Sequence, residues 1–357
     1  MTTTTTTPKR RPLAQVKRLP KHTPWALLAA ALAVAFLVLQ LLSTPTPAGV
    51  FFLAAALYVL ATWVLSRVVE GPRQATDRLA TAVVTGAFVL VMIPLGSLVT
   101  QVAAEGMKFM SFDFLNTDMG GVFGEIRDGG AGHAIVGTLY VTGLASAFAI
   151  PLGILTAVYL VEFGRGRLAR AITLLVDVMT GIPSIVAGLF VFVLFAQIDP
   201  QYRSAFMGGV ALAVLMTPVV VRSVEEMLKL VPNELREASY ALGVPKWLTV
   251  VKVVLRTAIA GITTGVMIAI ARVIGETAPL LLTVGSSAVL FNYSPVEGRI
   301  MTLPVYVYSQ YRQGAGIQGS VEVERAWAAA LTLIVIVMLL NLVARLVSKF
   351  FSPKGIS

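Results

Sequence analysis

Long uninterrupted runs of apolar residues dominate the hydropathy pattern of this 357-residue chain. A hydrocarbon core about 30 Å thick requires about 20 apolar residues per helix, and several runs approach or exceed that length with few or no charges. The eight runs are approximately 25–42, 50–66, 79–103, 134–161, 171–196, 206–221, 258–284 and 326–346. Strands of a membrane barrel would instead alternate in short segments. The pattern predicts an all-α, polytopic membrane protein with about eight transmembrane helices.

Composition supports this prediction and excludes several kinds of chemistry. The chain is 57% hydrophobic and only 13% charged, with a mean hydropathy of +0.83, which is too apolar for a soluble domain of this size. Because it contains no cysteine, disulfides, thiolate metal sites and thiol nucleophiles are excluded. The only histidines, His22 and His133, form no ligand cluster. We expect no metal, no bound cofactor and no catalytic site in this chain.

The distribution of Lys and Arg predicts the orientation in the membrane. If the N-terminus is cytosolic, 21 of the 28 basic residues fall in inside segments, six fall outside and Arg272 lies within a span. This bias places both termini in the cytosol. Topology and attraction to anionic lipid headgroups therefore explain the net charge of +10, and no nucleic-acid partner is needed.

A polar island between two apolar runs, about 221–256, predicts a short amphipathic helix on the cytosolic side. Asn233 is a plausible N-cap, and Glu234 and Glu237 follow near the positive helix N-terminus. Gly243 is expected to end the helix, and Pro245 to begin the next one. A generic helix lying on lipid headgroups would have a similar pattern.

Charges inside the membrane mark a candidate pathway. Arg272 lies 16 residues beyond Arg256, about 24 Å along a helix, and Glu276 follows four residues later on the predicted same face. Such charges cost at least about 2.5–3.5 kcal/mol, so the pair should face the interior or a wet cavity. Two interpretations remain open: a structural ion pair, or an anion path in which Arg272 contacts the substrate and Glu276 holds or releases it. Arg222 is either a second cation of the path or a snorkelling anchor.

Glycine and proline within two of the predicted spans suggest local bends. Gly181 and Pro183 interrupt the fifth run, and Pro279 follows Glu276 in the seventh. Such residues weaken the backbone hydrogen bonding of a membrane helix and allow close approach of another helix.

The polar island resembles the EAA loop of ABC-importer permeases. The residues that fit at the family's spacing are Glu237, Ala238, Gly243, Val253 and Leu255, while Ser239 replaces the second Ala and Arg256 replaces the Pro. In that family the loop forms a coupling helix that docks in a cytosolic ATPase subunit. The resemblance implies that residues 237–243 contact such an ATPase.

Four further runs, 132–139, 181–186, 221–228 and 270–281, resemble the phosphate-specific permeases of the PstA type. This resemblance implies a type I (MetI-like) transmembrane domain and transport roles for Arg222, Arg272 and Glu276. It also implies a bacterial inner-membrane complex with a sister permease (PstC type), ATP-binding subunits (PstB type) that bind ATP and Mg, and an external phosphate-binding protein (PstS type). This chain would form half of the pathway and would not itself be an enzyme.

The expected organisation follows from these observations. A disordered basic cytosolic tail occupies 1–24, an accessory transmembrane hairpin and linker 25–78, and the first family helix with its external loop 79–130. The permease domain occupies 131–348, with the coupling loop at about 227–256 and a cytosolic tail at 349–357. The family usually has six spans, so the resemblance leaves the first hairpin without a role. No convincing small-x-small cleavage site follows Leu42, and residues 43–50 lead straight into another apolar run, which favours a retained hairpin over a signal peptide.

Two rival functions remain open at this point. One is an ABC permease for another oxyanion, such as phosphonate or molybdate. The other is an ATP-independent channel or secondary transporter, which should show repeated halves with broken helices in matching positions. No such repeat is visible in the sequence.

Overall fold

The computed structural model describes residues 19–42, 45–122, 128–288, 294–317 and 319–351, and every regular element in these ranges is helical. The helices are α1 (Thr23–Leu42), α2 (Pro47–Val69), α3 (Pro72–Phe109), α4 (Phe112–Asn116), α5 (Gly132–Val158), α6 (Gly166–Thr180), α7 (Ser184–Ala196), α8 (Ala205–Lys229), α9 (Asn233–Ala241), α10 (Lys246–Thr249), α11 (Leu255–Val273), α12 (Ala278–Thr283), α13 (Leu303–Gly314) and α14 (Val321–Phe351). Two π-helical turns, Tyr159–Phe163 and Val250–Val254, directly follow α5 and α10.

In the described part of the chain, seven helices are long and apolar enough to cross a membrane, and there are up to eight if the bent pair α6–α7 counts as one span. The prediction of about eight transmembrane helices is confirmed. Segment α13, at 12 residues, is about 18 Å long and too short to span.

The fifth predicted span is not one helix. Residues 171–196 divide into α6 and α7, which are bent by 107° at a break that contains Gly181 and Pro183. Proline has no N–H and disfavours helical backbone at the residue before it, which favours an end of α6 before Ile182. Proline alone does not force a break, because Pro94, Pro151 and Pro218 lie inside continuous helices. Each half is about 20 Å long, less than the hydrocarbon thickness. The predicted bend is therefore a complete break.

The seventh predicted span is broken as well. Helix α11 ends at Val273, and α12 begins at Ala278 with Pro279 in its first turn, where the missing N–H costs nothing. The expectation of a continuous helix over 258–284 is wrong. Arg272 and Glu276 therefore do not lie one turn apart on a single helix.

Contacts divide the chain into two compact units, 1–99 and 100–357, with the boundary inside α3. In the first unit α1 packs along α2, with Ala31, Ala35 and Ala54 buried. The segment predicted as a linker is helical from Pro72 onward. The domain boundaries inferred from the sequence stay predictions.

Hydrogen bonds to Glu70 connect the segment before α1, the last turns of α2 and the start of α3. The buried Glu70 carboxylate accepts hydrogen bonds from the Leu19 amide at 2.8 Å, from the Ser66 hydroxyl at 2.8 Å and from Arg78 Nη2 at 2.7 Å. Burial alone would raise the pKa of Glu70, but these bonds to Leu19, Ser66 and Arg78 outweigh it and hold that pKa below the ordinary 4.5.

Close packing of α5 on α8 forms the centre of the second unit. Small residues allow it: Ala145 and Ala149 are fully buried, and a Cβ added to Gly153 would lie 2.6 Å from Val220 Cγ1. Inside a membrane, burial from water does not drive helices together, because lipid is as apolar as the helices. Van der Waals contact between closely approaching backbones stabilises the helix pair instead.

Candidate functional site

The breaks α6–α7 and α11–α12 border one cavity of about 240 Å³. Its polar lining comes from Thr180 and Ser184 on either side of the first break, from Arg272 just before the second break and from Glu276 within it. Helix α8 completes the wall through Leu215, Pro218 and Val219. The sequence did not predict that the two interruptions meet, because they lie about 90 residues apart.

The two broken helices are held together by a direct backbone crossing. Helix α7 passes α12 so closely that a Cβ on Gly188 would lie 2.5 Å from Pro279 Cα. The predicted bend residues Gly181, Pro183 and Pro279 thus all lie at the two breaks, and Pro183 also lines the cavity. The crossing fixes the position of the first turn of α7, whose unbonded amides carry positive partial charge.

Arg272 and Glu276 share the cavity without forming an ion pair. Arg272 is exposed and Glu276 is half-buried, and within the described ranges neither side chain has a salt bridge or hydrogen-bond partner. The interpretation of a structural ion pair is therefore not supported by the geometry. A guanidinium in a membrane domain is costly unless it meets water or a counter-ion, so this cavity must be hydrated or hold an anion.

Arg222 is not among the residues that line this cavity, and it belongs to an ion-pair network one helical turn from the lining residues Thr180 and Val219. It bonds the Asp177 carboxylate of α6, and its Nη1 lies 2.7 Å from Glu225 Oε2. Lys229 Nζ lies 2.7 Å from the other oxygen of Glu225. Arg222 therefore does not line the cavity with Arg272 and Glu276, and its predicted contact with substrate stays a prediction. What the network does provide is a link between α6 and α8 beside the first break.

The polar island forms α9 and α10, as the sequence indicates. Glu237 and Ala238 are exposed on α9, and Gly243 ends the segment with a φ of +73°, a conformation that favours glycine. Ser239 points inward, and its hydroxyl lies 2.8 Å from Thr249 Oγ1 of α10. The predicted cap is wrong: Pro232 occupies the N-cap and Asn233 is the first helical residue, without a side-chain cap bond.

Four large apolar side chains on this island are exposed in the described part of the chain. Leu235, Tyr240, Leu242 and Trp247 are between 40% and 83% exposed. Arg236 of α9 forms an ion pair with Glu162, which lies in the π-helical turn after α5. Sequence reasoning missed this pair, because the two residues are 74 positions apart and no local pattern connects them.

Comparison with known proteins identifies the family. The family of binding-protein-dependent transport system inner membrane components matches residues 149–355. The phosphate transport system permease protein PstA 1 of Mycobacterium tuberculosis strain H37Rv is 45% identical over 278 residues, which cover 77% of this chain and 88% of that protein. This chain belongs to the PstA family of phosphate permeases. Another relative, the PstA permease of Mycobacterium leprae, is 44% identical over 282 residues, covering 78% of this chain and 90% of that protein.

Solved structures with the same fold are ABC transporters. The MetNI methionine ABC transporter in an inward-facing conformation matches with a TM-score of 0.50 and 21% identity, over 62% of this chain and 95% of that chain. A bacterial alginate ABC transporter matches with a TM-score of 0.52 and 15% identity, over 79% of this chain and 97% of that chain. At these identities the likeness shows the fold alone. The predicted MetI-like ABC importer fold of this PstA-family chain is confirmed.

Proposed function

We propose that this PstA-family protein is the permease subunit of an ATP-driven importer of inorganic phosphate and forms half of the translocation pathway. The observation that carries the proposal is the cavity between the two helix breaks, where Arg272 has no salt-bridge or hydrogen-bond partner among the described residues. This cavity supports the proposal alongside the 45% identity to a phosphate permease.

Size and charge of the cavity suit a small oxyanion. Since water occupies about 30 Å³ in the liquid, 240 Å³ corresponds to about eight waters, enough for a partly hydrated tetrahedral anion. The planar guanidinium of Arg272 can bind two oxygens of phosphate through parallel hydrogen bonds. Glu276 opposes tight binding by repulsion, which helps the anion to leave. A pathway site must bind weakly enough to release its cargo.

The energy source lies outside this chain in our proposal. The exposed apolar surface of α9 and α10 would dock on a cytosolic ATP-binding subunit of the PstB type, which binds ATP and Mg and carries out the hydrolysis. This chain would be a non-catalytic subunit without a cofactor of its own. A sister permease of the PstC type would complete the pathway, and an external binding protein of the PstS type would deliver phosphate.

The orientation is part of the proposal. Both termini lie in the cytosol and the protein spans the bacterial inner membrane, because the basic residues collect on one side of the eight spans. The same assignment places α9 and α10 on the cytosolic side, where an ATPase can reach them.

The decisive test is phosphate uptake by the whole transporter carrying Arg272→Gln. Uptake should fall at least about tenfold, because losing a charge-assisted bidentate contact costs at least about 1.5 kcal/mol. Arg272→Lys should retain part of the activity. The matched control is Arg73→Gln, which neutralises an exposed arginine in the first unit.

Further measurements on the same cells distinguish the phosphate importer from the alternative functions. Assembly with the ATPase, measured by pull-down, should be unchanged in all variants. Normal phosphate uptake by Arg272→Gln would contradict the anion path. Uptake of phosphonate or molybdate in preference to phosphate would assign the permease to another oxyanion, and uptake without ATP would support an ATP-independent transporter.

A further inference from the structure

The Arg236 guanidinium joins three elements at the base of the polar island. It belongs to α9, and its Nη1 donates to the Val231 carbonyl at 2.6 Å while Nη2 donates to the Leu228 carbonyl at 3.1 Å. The Leu228 carbonyl lies in the last turn of α8 and also accepts the Val231 amide at 3.3 Å, whereas Val231 itself follows the helix in the connection to α9. The remaining donors reach Glu162 Oε1, from Nη2 at 2.8 Å and from Nε at 3.1 Å.

Glu162 lies in the π-helical turn Tyr159–Phe163 that follows α5, and its side chain is only 5% exposed, against 13% for Arg236. A second bond reinforces the attachment, because Lys246 of α10 donates to the Glu162 carbonyl and lies 4.9 Å above the Phe163 ring. Buried, charge-assisted and geometrically fixed bonds of this kind are stronger than exposed ion pairs. The island is therefore attached to α5 as well as to its covalent neighbours.

We propose that the Glu162–Arg236 pair is a positioning device that couples the movement of α9 to α5. This inference rests on the proposed function, because it requires an ATPase that moves α9. Without the pair, α9 would keep its covalent connections to α8 and α10 and the bond from Lys246 to the Glu162 carbonyl, but it would lose the contact between the Arg236 side chain and the turn after α5.

The route from α5 to the cavity is short. Helix α5 packs tightly on α8 where Gly153 meets Val220, and the adjacent Val219 lines the cavity with Arg272. Close-packed helices shift as rigid elements and do not deform continuously. A movement imposed on Glu162 is thus delivered to the wall of the cavity by α5 and α8 together.

The test compares transport with ATP hydrolysis in the complete transporter reconstituted in proteoliposomes. Glu162→Gln keeps the size of the side chain and removes its charge, and Glu162→Asp keeps the charge but withdraws the carboxylate by one methylene. Glu105→Gln is the matched control, since Glu105 pairs with Lys108 on an exposed helix surface. Phosphate imported per ATP hydrolysed is measured for each variant.

We expect Glu162→Gln to hydrolyse ATP while importing about tenfold less phosphate per ATP, within the range of about 5–150-fold typical of coupling between sites. Glu162→Asp should lie between this variant and the parent, and Glu105→Gln should match the parent. An unchanged ratio in both Glu162 variants would overturn the proposal. An equal loss of ATP hydrolysis and phosphate uptake in both Glu162 variants would also overturn the proposal, because it would indicate a structural role only. Phosphate import by the parent tests the proposed function separately.

Discussion

The crossing of α7 and α12 at Gly188 predicts that one methyl group there will disturb the candidate pathway. In Gly188→Ala the new Cβ would lie 2.5 Å from Pro279 Cα and 2.8 Å from Pro279 Cβ. Neither helix can relieve this clash by changing a rotamer, because the atoms belong to the backbone and to a rigid ring. The helices must separate by at least about 0.9 Å to reach ordinary van der Waals contact.

Two opposing energies determine the size of the effect. Overpacking of this kind costs about 1–3 kcal/mol. Replacing glycine by alanine within a helix also stabilises it by up to about 1 kcal/mol. Gly143→Ala isolates the second effect, because Gly143 lies in α5 with open space where its Cβ would be. The difference between the two variants should therefore equal the steric cost alone.

Thermal unfolding of the purified transporter and phosphate uptake measure the two consequences. Gly188→Ala should melt about 3–9 °C below Gly143→Ala, taking about 3 °C per kcal/mol for a unit of this size. Its uptake should also fall, because the separation moves Pro279 and the neighbouring Glu276 relative to Ser184. Equal melting temperatures and equal uptake in the two variants would refute the reasoning that a backbone contact fixes the cavity.

Two further predictions concern polar contacts away from the cavity. Thr249→Val should destabilise the transporter by about 1–3 kcal/mol, because the buried Ser239 hydroxyl loses its bond, whereas Ser239→Ala should cost less, since Thr249 still bonds the Pro245 carbonyl at 3.4 Å. Glu70→Gln should lower the melting temperature at pH 7. Because the folded-state pKa of Glu70 lies below 4.5, its contribution is present above that pH and should disappear as the pH falls below it.

Each of these predictions has a clear opposing outcome. Melting temperatures of Thr249→Val and Ser239→Ala that both equal that of the parent would show that the hydroxyl pair does not stabilise the polar island. For Glu70, melting is followed from pH 7 to about pH 3 in the parent and in Glu70→Gln. A difference that stays constant, or grows as the pH falls, would contradict stabilisation by the ionised carboxylate.

The sequence determined those properties that depend on short segments. The length of apolar runs predicted about eight spans, since hydrocarbon thickness sets the length of a helix that crosses it. The spacing from Glu237 to Leu255 predicted a coupling loop, whose contact with an ATPase stays a prediction. The charge of Arg272 indicated a site within the membrane, because an unpaired cation there is too costly to be incidental. The family inferred from these motifs is confirmed by the comparisons.

Only the tertiary structure decided how the distant segments meet. Hydropathy does not distinguish a continuous helix from two short ones, so the breaks at Pro183 and before Pro279 were not predicted as such. The pairing of Arg222 with Asp177, and of Arg236 with Glu162, depends on contacts across 45 and 74 residues. Such contacts arise from helix packing, which small residues such as Gly153 and Gly188 permit by bringing backbones together. The charged residues could therefore be identified from the sequence, but their ion-pair partners depend on how the helices pack.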